Sequence, residues 1–509
     1  MIQIHFYEKG GLPVFFAKEE ESGDFSCLGA CQKALCDWVR AHSDFSAQPG
    51  ALSYLPDPQG LGQLIVGLGR LSSEEEDQRQ PFHAPLVNRE EGEAMLLEAV
   101  RLAFFKLRQF CDQHKIDTIE VAMPLLGTCQ RKLFMAAYEG LRQGEYHFSK
   151  KTDDTPMKDR LLTVHYQPAK EGKEAIMTQA LKRTMAMMDG VDLARDLVNE
   201  TANHLTPQSL AQAAKDQLSP LGVEVRVFTE KEIQAMGMEA YYSVAKGSSQ
   251  PPRFLLMRYQ GNPECEDVFG LVGKGLTYDS GGYCLKMSAE MASMHCDMGG
   301  AGTVIGTLYA LAKAQIPVNV TAVVAACENL ISGSAFKTGD IIGSLSGKTI
   351  EVANTDAEGR LTLADALYYL TSECPVNRVV DLATLTGAVL SAFGKEYTGA
   401  VSNDDDFYLD LAQAARQVGE KIWALPNDPA FRKQNESKVA DLCNAPGGGA
   451  GSVTAALFVG AFLARDLPWV HLDIAGTAYL KEAKGYLPAR ATGVHVKTLF
   501  QYLAPELGC

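Results

Sequence analysis

The chain has 509 residues, 46% of them hydrophobic and 21% charged, which is ordinary for a globular protein and excludes disorder, a collagen-like repeat and a disulfide scaffold. Its 62 acidic residues against 47 basic ones give a net charge of -15, so there is no basic surplus to neutralise a nucleic-acid backbone or an anionic membrane, and neither is expected as a partner. No run approaches the ~20 apolar residues of a membrane span, and Met1 to Gly11 lacks the basic and apolar regions of a secretory leader, so a cytoplasmic location is expected.

A chain of this length calls for two domains, and short apolar runs alternating with helical patterns predict α/β layers in both. In the first third, Leu64 to Gly69 and Thr118 to Met123 read as buried strands with a helix from Glu91 to Lys115 between them. Residues 1–170 are thus expected to form a smaller, non-catalytic α/β domain serving assembly or regulation. Of the twelve cysteines, Cys27, Cys31 and Cys36 sit on a helical-looking stretch without paired C-x-x-C spacing, and reduced thiols are expected throughout. The helical pattern from Glu171 to Asn199 is long enough to bridge two domains, which places a linking helix at 171–200. Beyond it, strands are predicted at Val223 to Phe228, Phe254 to Tyr259, Val268 to Val272, Val318 to Val324, Arg378 to Leu382 and Trp469 to Leu472. With helices between most of them, residues 201–509 predict a larger C-terminal α/β domain whose mixed, mostly parallel sheet is flanked by helices. Acidic clusters at Glu74 to Asp77 and Asp404 to Asp406 read as solvated loops.

Several familiar chemistries are excluded by spacing. The G-S-L-S-G-K-T stretch at 343–349 has three residues between its glycines where a phosphate loop needs four. Neither G-x-S-x-G nor H-E-x-x-H occurs, and the ten histidines are scattered singly, so a metal site would have to be built from carboxylates.

Two segments carry such groups. The first, N-T-D-A-E-G-R at 354–360, stands directly before a helical run starting near Leu361. In an extended segment side chains alternate with period two, which would project Asp356, Glu358 and Arg360 from one face. That trio fits a surface ion network as well as a site. The second runs from Val272 to Gly282, then Lys286, then Met294-His-Cys-Asp-Met298. It follows a predicted strand, and ligands in open α/β sheets gather beyond the carboxyl ends of strands. Lys274 alone reads as a solvated lysine and Asp279 alone as a turn residue; both readings weaken if the segments converge.

Together the two segments resemble the metal-binding and catalytic motifs of the leucyl aminopeptidase, or cytosol aminopeptidase, family. The heptapeptide is present in full, and the similarity spans roughly Arg195 to Leu499, including D-L-A-T-L-T-G-A at 381–388 and the glycine-rich stretch from Gly447 to Gly451. The resemblance implies a two-metal aminopeptidase that removes the N-terminal residue, leucine-like by preference, from peptides with a free N-terminus. It implies that Asp279 and Glu358 each bridge two ions, that Lys274 and Asp297 complete the tighter site, and that Asp356 completes the exchangeable one. Four carboxylates would repel one another, whereas two dications balance them. Lys274 can ligate only as a neutral amine, a form favoured by burial and nearby cations. Zinc or manganese is expected, with magnesium or cobalt as alternatives. The resemblance further implies that water held between the ions would become the nucleophile, that Lys286 would stabilise the oxyanion, and that Arg360 would hold a bicarbonate acting as general base. Met294, Asp297, Lys286, Thr384, Leu385 and Gly387 are implied around the substrate, and a homohexamer is implied as the assembly.

Two positions depart from the family pattern. Met287 stands where proline is usual after the catalytic lysine, and His295 where lysine is usual, both beside the implied substrate pocket. Cys296, beside Asp297, is a further conceivable ligand. Competing readings are a binding or regulatory protein on the same fold and a carboxylate-bridged two-metal phosphatase.

Overall fold

The computed structural model describes residues 1–6, 12–19, 25–28, 46, 48–55, 63–68, 90–122, 129–152, 160–167 and 174–505. The chain divides into two compact units, one of Met1–Met188 with Ala483–Pro488 and Leu507–Cys509, the other of Asp189–Glu482 with Ala489–Glu506.

The first unit is built on a seven-stranded sheet. Its order is Ile2–Phe6, Leu162–Gln167, Thr118–Ala122, Leu12–Glu19, Gln63–Gly67 and Leu52–Leu55, with Phe25–Leu28 paired to Leu12–Glu19. Leu12, Val14, Ile119, Val121, Leu162 and Val164 bury one face of it against helices Glu90–Gln113 and Gln130–Glu145. Between those helices Arg101 Nε donates to Glu139 Oε2 at 2.7 Å, both side chains buried. Two sequence expectations change here. Cys27 lies in a strand, not on a helix, and Cys129 is disulfide-bonded rather than reduced. Cys31, Cys36 and the acidic cluster Glu74 to Asp77 lie outside the described residues.

The second unit is a mixed, mostly parallel sheet of eight strands flanked by helices. The order is Ile422–Ala424, Thr398–Ser402, Trp469–Asp473, Arg378–Ala383, Val268–Asp279, Asn319–Asn329, Arg253–Gln260 and Glu224–Phe228. Every residue of Asn319–Asn329 is buried, as expected of a central strand covered on both faces, and this explains the continuous apolar runs in the sequence. Four neighbouring strands, ending at Asp473, Ala383, Asp279 and Asn329, run parallel, so their carboxyl ends emerge along one edge. Helix Gly299–Lys313 is packed by Val304, Ile305, Leu308 and Leu311, while helix Gly359–Glu373 starts directly after the heptapeptide acids. The cluster Asp404 to Asp406 is no free loop. Asp404 caps helix Asp405–Gln417 by accepting from Phe407 N at 2.9 Å, and two further acids fill the first turn, where the exposed amides favour negative charge.

Candidate metal centre

The strand Val268–Asp279 brings two charged groups to the carboxyl edge, Lys274 from its interior and Asp279 at its end. Lys274 is buried, and its ammonium has three acceptors: Asp297 at 2.7 and 2.8 Å, Glu358 Oε1 at 3.0 Å and the Thr384 carbonyl at 3.0 Å. Thr384 Oγ1 in turn donates to Asp297 Oδ1 at 2.7 Å. At the other end, Lys286 Nζ pairs with Asp279 Oδ2 at 2.8 Å and with Asp356 Oδ1. Asp279, Asp356 and Glu358 each offer a carboxylate oxygen within 4.8 Å of the other two. The stretches around 274–279, 286, 297 and 356–358 therefore meet.

The heptapeptide does so by a different local geometry from the extended one expected. Asp356 lies in a turn, Glu358 is already α-helical at φ -78° and ψ -35°, and Arg360 belongs to the helix that follows. The turn is held from outside by Asn444, whose side chain accepts from Ala353 N at 2.8 Å and donates to the Asn354 and Ala357 carbonyls at 2.7 and 3.2 Å. The Asn444 carbonyl accepts from Arg360 Nη1 at 2.5 Å. Gly359 is required by packing: a Cβ there would lie 2.5 Å from Lys274 Cε. Gly281, at φ +85°, makes the turn after Asp279 that a side chain would strain, and its amide donates to Asp279 Oδ1 at 2.9 Å.

Burial dominates the electrostatics. It pushes Glu358 up to about 8 and Asp297 up to about 6, with Asp279 adding to both, and it raises Asp356 as well. For Lys274 and Lys286 burial alone would favour the neutral amine. The carboxylates outweigh it, Asp297 foremost at Lys274 and Asp279 at Lys286, and both stay firmly protonated. Burial draws Arg360 down to about 10 against the opposing pull of Glu358 and Asp473.

The donor set fits cations. Four carboxylates face two ammonium groups, and Glu358 Oε2, buried, accepts no hydrogen bond among the described residues. A carboxylate oxygen left without a donor inside such a cluster is costly unless a cation meets it. Arg360 Nε is likewise buried without an acceptor among the described residues, as a group awaiting an anion would be. Cys296 is not part of the cluster; burial pushes its thiol up to about 12 and Asp297 adds to that, so it stays a thiol.

The remaining residues are placed as follows. Thr384, Leu385 and Gly387 occupy the loop and helix start after strand Arg378–Ala383, and Met294 opens the short helical turn before Asp297. His295 packs edge-on to Tyr479 at 5.7 Å between ring centres, while Met287 is exposed. Sequence reading missed Asn329, fully buried at the end of the next strand, whose amide donates to Asp279 Oδ1 at 2.8 Å and to the Thr355 carbonyl at 3.1 Å. Its only signal was its place at a strand's carboxyl end. Asn444 gave none. A second buried layer lies behind: Asp473 accepts from Thr386 Oγ1 at 2.6 Å, and Asp381 holds His471 Nδ1 at 2.5 Å and Trp469 Nε1 at 2.7 Å.

A mixed α/β sheet whose parallel edge gathers buried carboxylates and lysines is the framework of a metal-dependent hydrolase. Comparison with known proteins narrows that class. The catalytic domain of the cytosol aminopeptidase family matches residues 192–500. The chain is 45% identical to a probable cytosol aminopeptidase of Treponema denticola over 91% of its own length and 93% of that protein's. It is 37% identical to one of Bacillus subtilis over 90% and 88%. Among solved structures it is similar to a variant of tomato leucine aminopeptidase, with a TM-score of 0.83 and 30% identity, covering 99% of this chain and 97% of that one. It is also similar to the bottromycin maturation enzyme BotP in complex with Mn, with a TM-score of 0.82 and 29% identity, covering 97% and 99%. The chain belongs to the cytosol aminopeptidase family, whose members are metallo-aminopeptidases.

Proposed function

We propose that this chain removes the first residue, leucine-like by preference, from peptides with a free N-terminus, using Asp279, Asp297, Asp356, Glu358 and Lys274 to hold two divalent ions. The observation that carries the reading is the meeting of these residues, Asp279, Asp356 and Glu358 within 4.8 Å of one another and Asp297 and Glu358 both on Lys274, with Glu358 Oε2 a buried carboxylate oxygen that has no donor among the described residues. Asp279 and Glu358, central in the cluster, would be shared by both ions, with Lys274 and Asp297 at one end and Asp356 at the other. Zinc or manganese suits a set of hard oxygens with one amine, and magnesium or cobalt is the alternative. When bound, the two ions supply polarisation of the scissile carbonyl and acidification of the attacking water.

The chain's own residues do the rest. Lys274 keeps its proton while Asp297 and Glu358 face it, so its service as a neutral ligand depends on cations taking over those carboxylates. Lys286 stays charged and reaches over Asp279 and Asp356, suited to the oxyanion of the tetrahedral stage. Arg360, with a spare buried N–H, suits a bicarbonate that takes up and returns the proton; an arginine cannot itself be the base. Thr384 fixes Asp297 by its hydroxyl and, with Met294, Leu385 and Gly387, borders the space for the first side chain, where Gly387 would leave open room. Beyond the site, a homohexamer, a cytoplasmic location and an assembly role for residues 1–170, joined by the helix at 171–200 to the catalytic part 201–509, complete the reading. Among the described residues no helix is long and apolar enough to cross a membrane.

The test is release of leucine from leucinamide by protein loaded with manganese or zinc, beside elemental analysis of the same sample. Two ions per chain and hydrolysis lost on chelation are expected; hydrolysis undiminished in metal-free protein would defeat the reading.

A further inference from the structure

We infer that Asp473, a buried carboxylate outside the ligand cluster, is a positioning residue: it fixes the loop 384–387 so that Thr384 holds Lys274 and Asp297 in place for one of the two ions. The inference rests on the reading of the acid cluster as a two-metal centre. Thr384 touches both groups at that end, its carbonyl accepting from Lys274 Nζ at 3.0 Å and its hydroxyl donating to Asp297 Oδ1 at 2.7 Å. A lysine that gives up one proton to serve as a ligand keeps two N–H groups, and a carbonyl fixed on one of them sets where the lone pair points. Whatever places Thr384 therefore shapes that end of the cluster.

Thr384 is the first residue beyond strand Arg378–Ala383, and its neighbours on both sides are held by the end of the adjoining strand Trp469–Asp473. Behind it, Ala383 is the ladder partner of Asp473, and its carbonyl accepts from Ile474 N at 2.8 Å. Ahead of it the backbone leaves the sheet, so the amides of Leu385 and Thr386 lose their ladder partners, and burying them unpaired would be costly. Asp473, only 1% exposed, supplies the acceptors. Its Oδ1 takes Leu385 N at 3.2 Å, Thr386 N at 3.4 Å and Ala475 N at 3.2 Å, and its Oδ2 takes Thr386 Oγ1 at 2.6 Å.

The Thr386 hydroxyl carries one hydrogen, and Asp473 receives it. The 2.8 Å contact between Thr386 Oγ1 and Ser452 Oγ is then a bond donated by Ser452, and Val389 N donates to the same threonine oxygen at 3.2 Å. One carboxylate thus gathers the sheet edge, the start of helix Gly387–Phe393 and the start of helix Gly451–Gly460. Among the described residues the hydrogen bonds of Asp473 all go to this frame, so its hold on the centre runs through Thr384 and falls on the Lys274 end rather than the Lys286 end. Its charge also acts on Arg360, so turnover alone would not separate the two influences. Metal affinity does.

The experiment titrates manganese into the metal-free full chain by calorimetry, reading the affinity of each ion in wild type, Asp473→Ala and Asp473→Asn. Asp473→Ala is expected to weaken one ion by about tenfold, the lower end of what losing a ligand's supporting hydrogen bonds costs, and to leave the other within about twofold. Asp473→Asn keeps Oδ1 for the three amides while removing the charge, so it should retain both affinities whatever it does to turnover. Should Asp473→Ala not fold, Thr386→Val, which deletes the bond to Oδ2, is compared with Thr386→Ser, which keeps it; the first should weaken the same ion and the second should not. Trp469→Phe, which loses the bond to Asp381 from the same strand, should lower Tm with both affinities unchanged. Equal weakening of both ions, no weakening at all, or a loss in Trp469→Phe matching that in Asp473→Ala overturns the proposal. Wild type that fails to bind two manganese ions defeats the two-metal reading itself, whereas two ions in wild type with unaltered affinities in the variants defeats the role of Asp473 alone.

Discussion

Lys274 and Lys286 answer the same carboxylates from opposite ends, and their surroundings differ. Lys274 rises from the interior of a strand, its side chain 3% exposed, locked between Asp297, Glu358 and the Thr384 carbonyl, with Gly359 against its last carbons. Lys286 sits on a loop, its side chain 15% exposed, with only Asp279 and Asp356 as ion-pair partners among the described residues. Packing commits the first lysine to one place, so it can only hold. The second keeps the freedom to meet an incoming substrate, at the cost of being less tightly defined.

The largest test of that contrast is at the carboxylate between the two ends. Glu358→Ala should abolish leucinamide hydrolysis and lower metal content by plasma mass spectrometry, because the ligand proposed to be shared by both ions would be lost; an active variant with two ions would refute the arrangement. Next is Lys286→Ala, expected to lower kcat by about 10²–10³, the scale for losing one oxyanion donor, with metal content unchanged. If its metal is lost as well, the two ends are not functionally distinct. Gly359→Ala should drive a Cβ into Lys274 and cost ~1–3 kcal/mol in urea unfolding. Gly387→Ala, whose added Cβ meets nothing within 4 Å, should cost far less, and equal losses would remove the packing argument.

The smallest effect is a pH dependence confined to metal-free protein. Burial and neighbouring acids raise Glu358 to about 8 and Asp297 to about 6, so between the ordinary carboxylate range near pH 4 and about pH 8 the folded chain binds protons that the unfolded chain has released. Stability of the chelated protein should therefore fall as pH rises through that window, followed as Tm. Zinc or manganese should flatten the slope by taking the place of those protons, and a chelated protein with a level Tm would show that the acids are not held protonated.

Much of the fold was legible in advance, for a local reason. Val268 to Val272, Val318 to Val324 and Trp469 to Leu472 were mainly apolar runs because central strands are buried on both faces, and the observed strands Val268–Asp279, Asn319–Asn329 and Trp469–Asp473 contain them but for Val318, just before the second. Their extensions were not legible: Lys274 and Glu328 interrupt the apolar pattern inside strands, because a site forms where the sheet edge stops being core. Short edge strands such as Ile422–Ala424 escaped for want of length. In the heptapeptide the charged residues were evident, but the extended geometry expected of them was wrong, since Asn444, some 85 residues later, imposes the turn.

By itself the sequence determined the class of fold, through backbone periods that any short stretch declares, and the identity of the charged groups, which motif resemblance tied to a family. Only the tertiary structure decided which of them meet. The parallel register of four strands brings Asp279, Asn329 and Thr384 to one edge, and burial there turns ordinary acids and lysines into a cluster that needs cations. It also decided that Leu285 and Met287 face solvent. Neither fact is local, because distance along the chain says nothing of distance in space until the sheet has closed it.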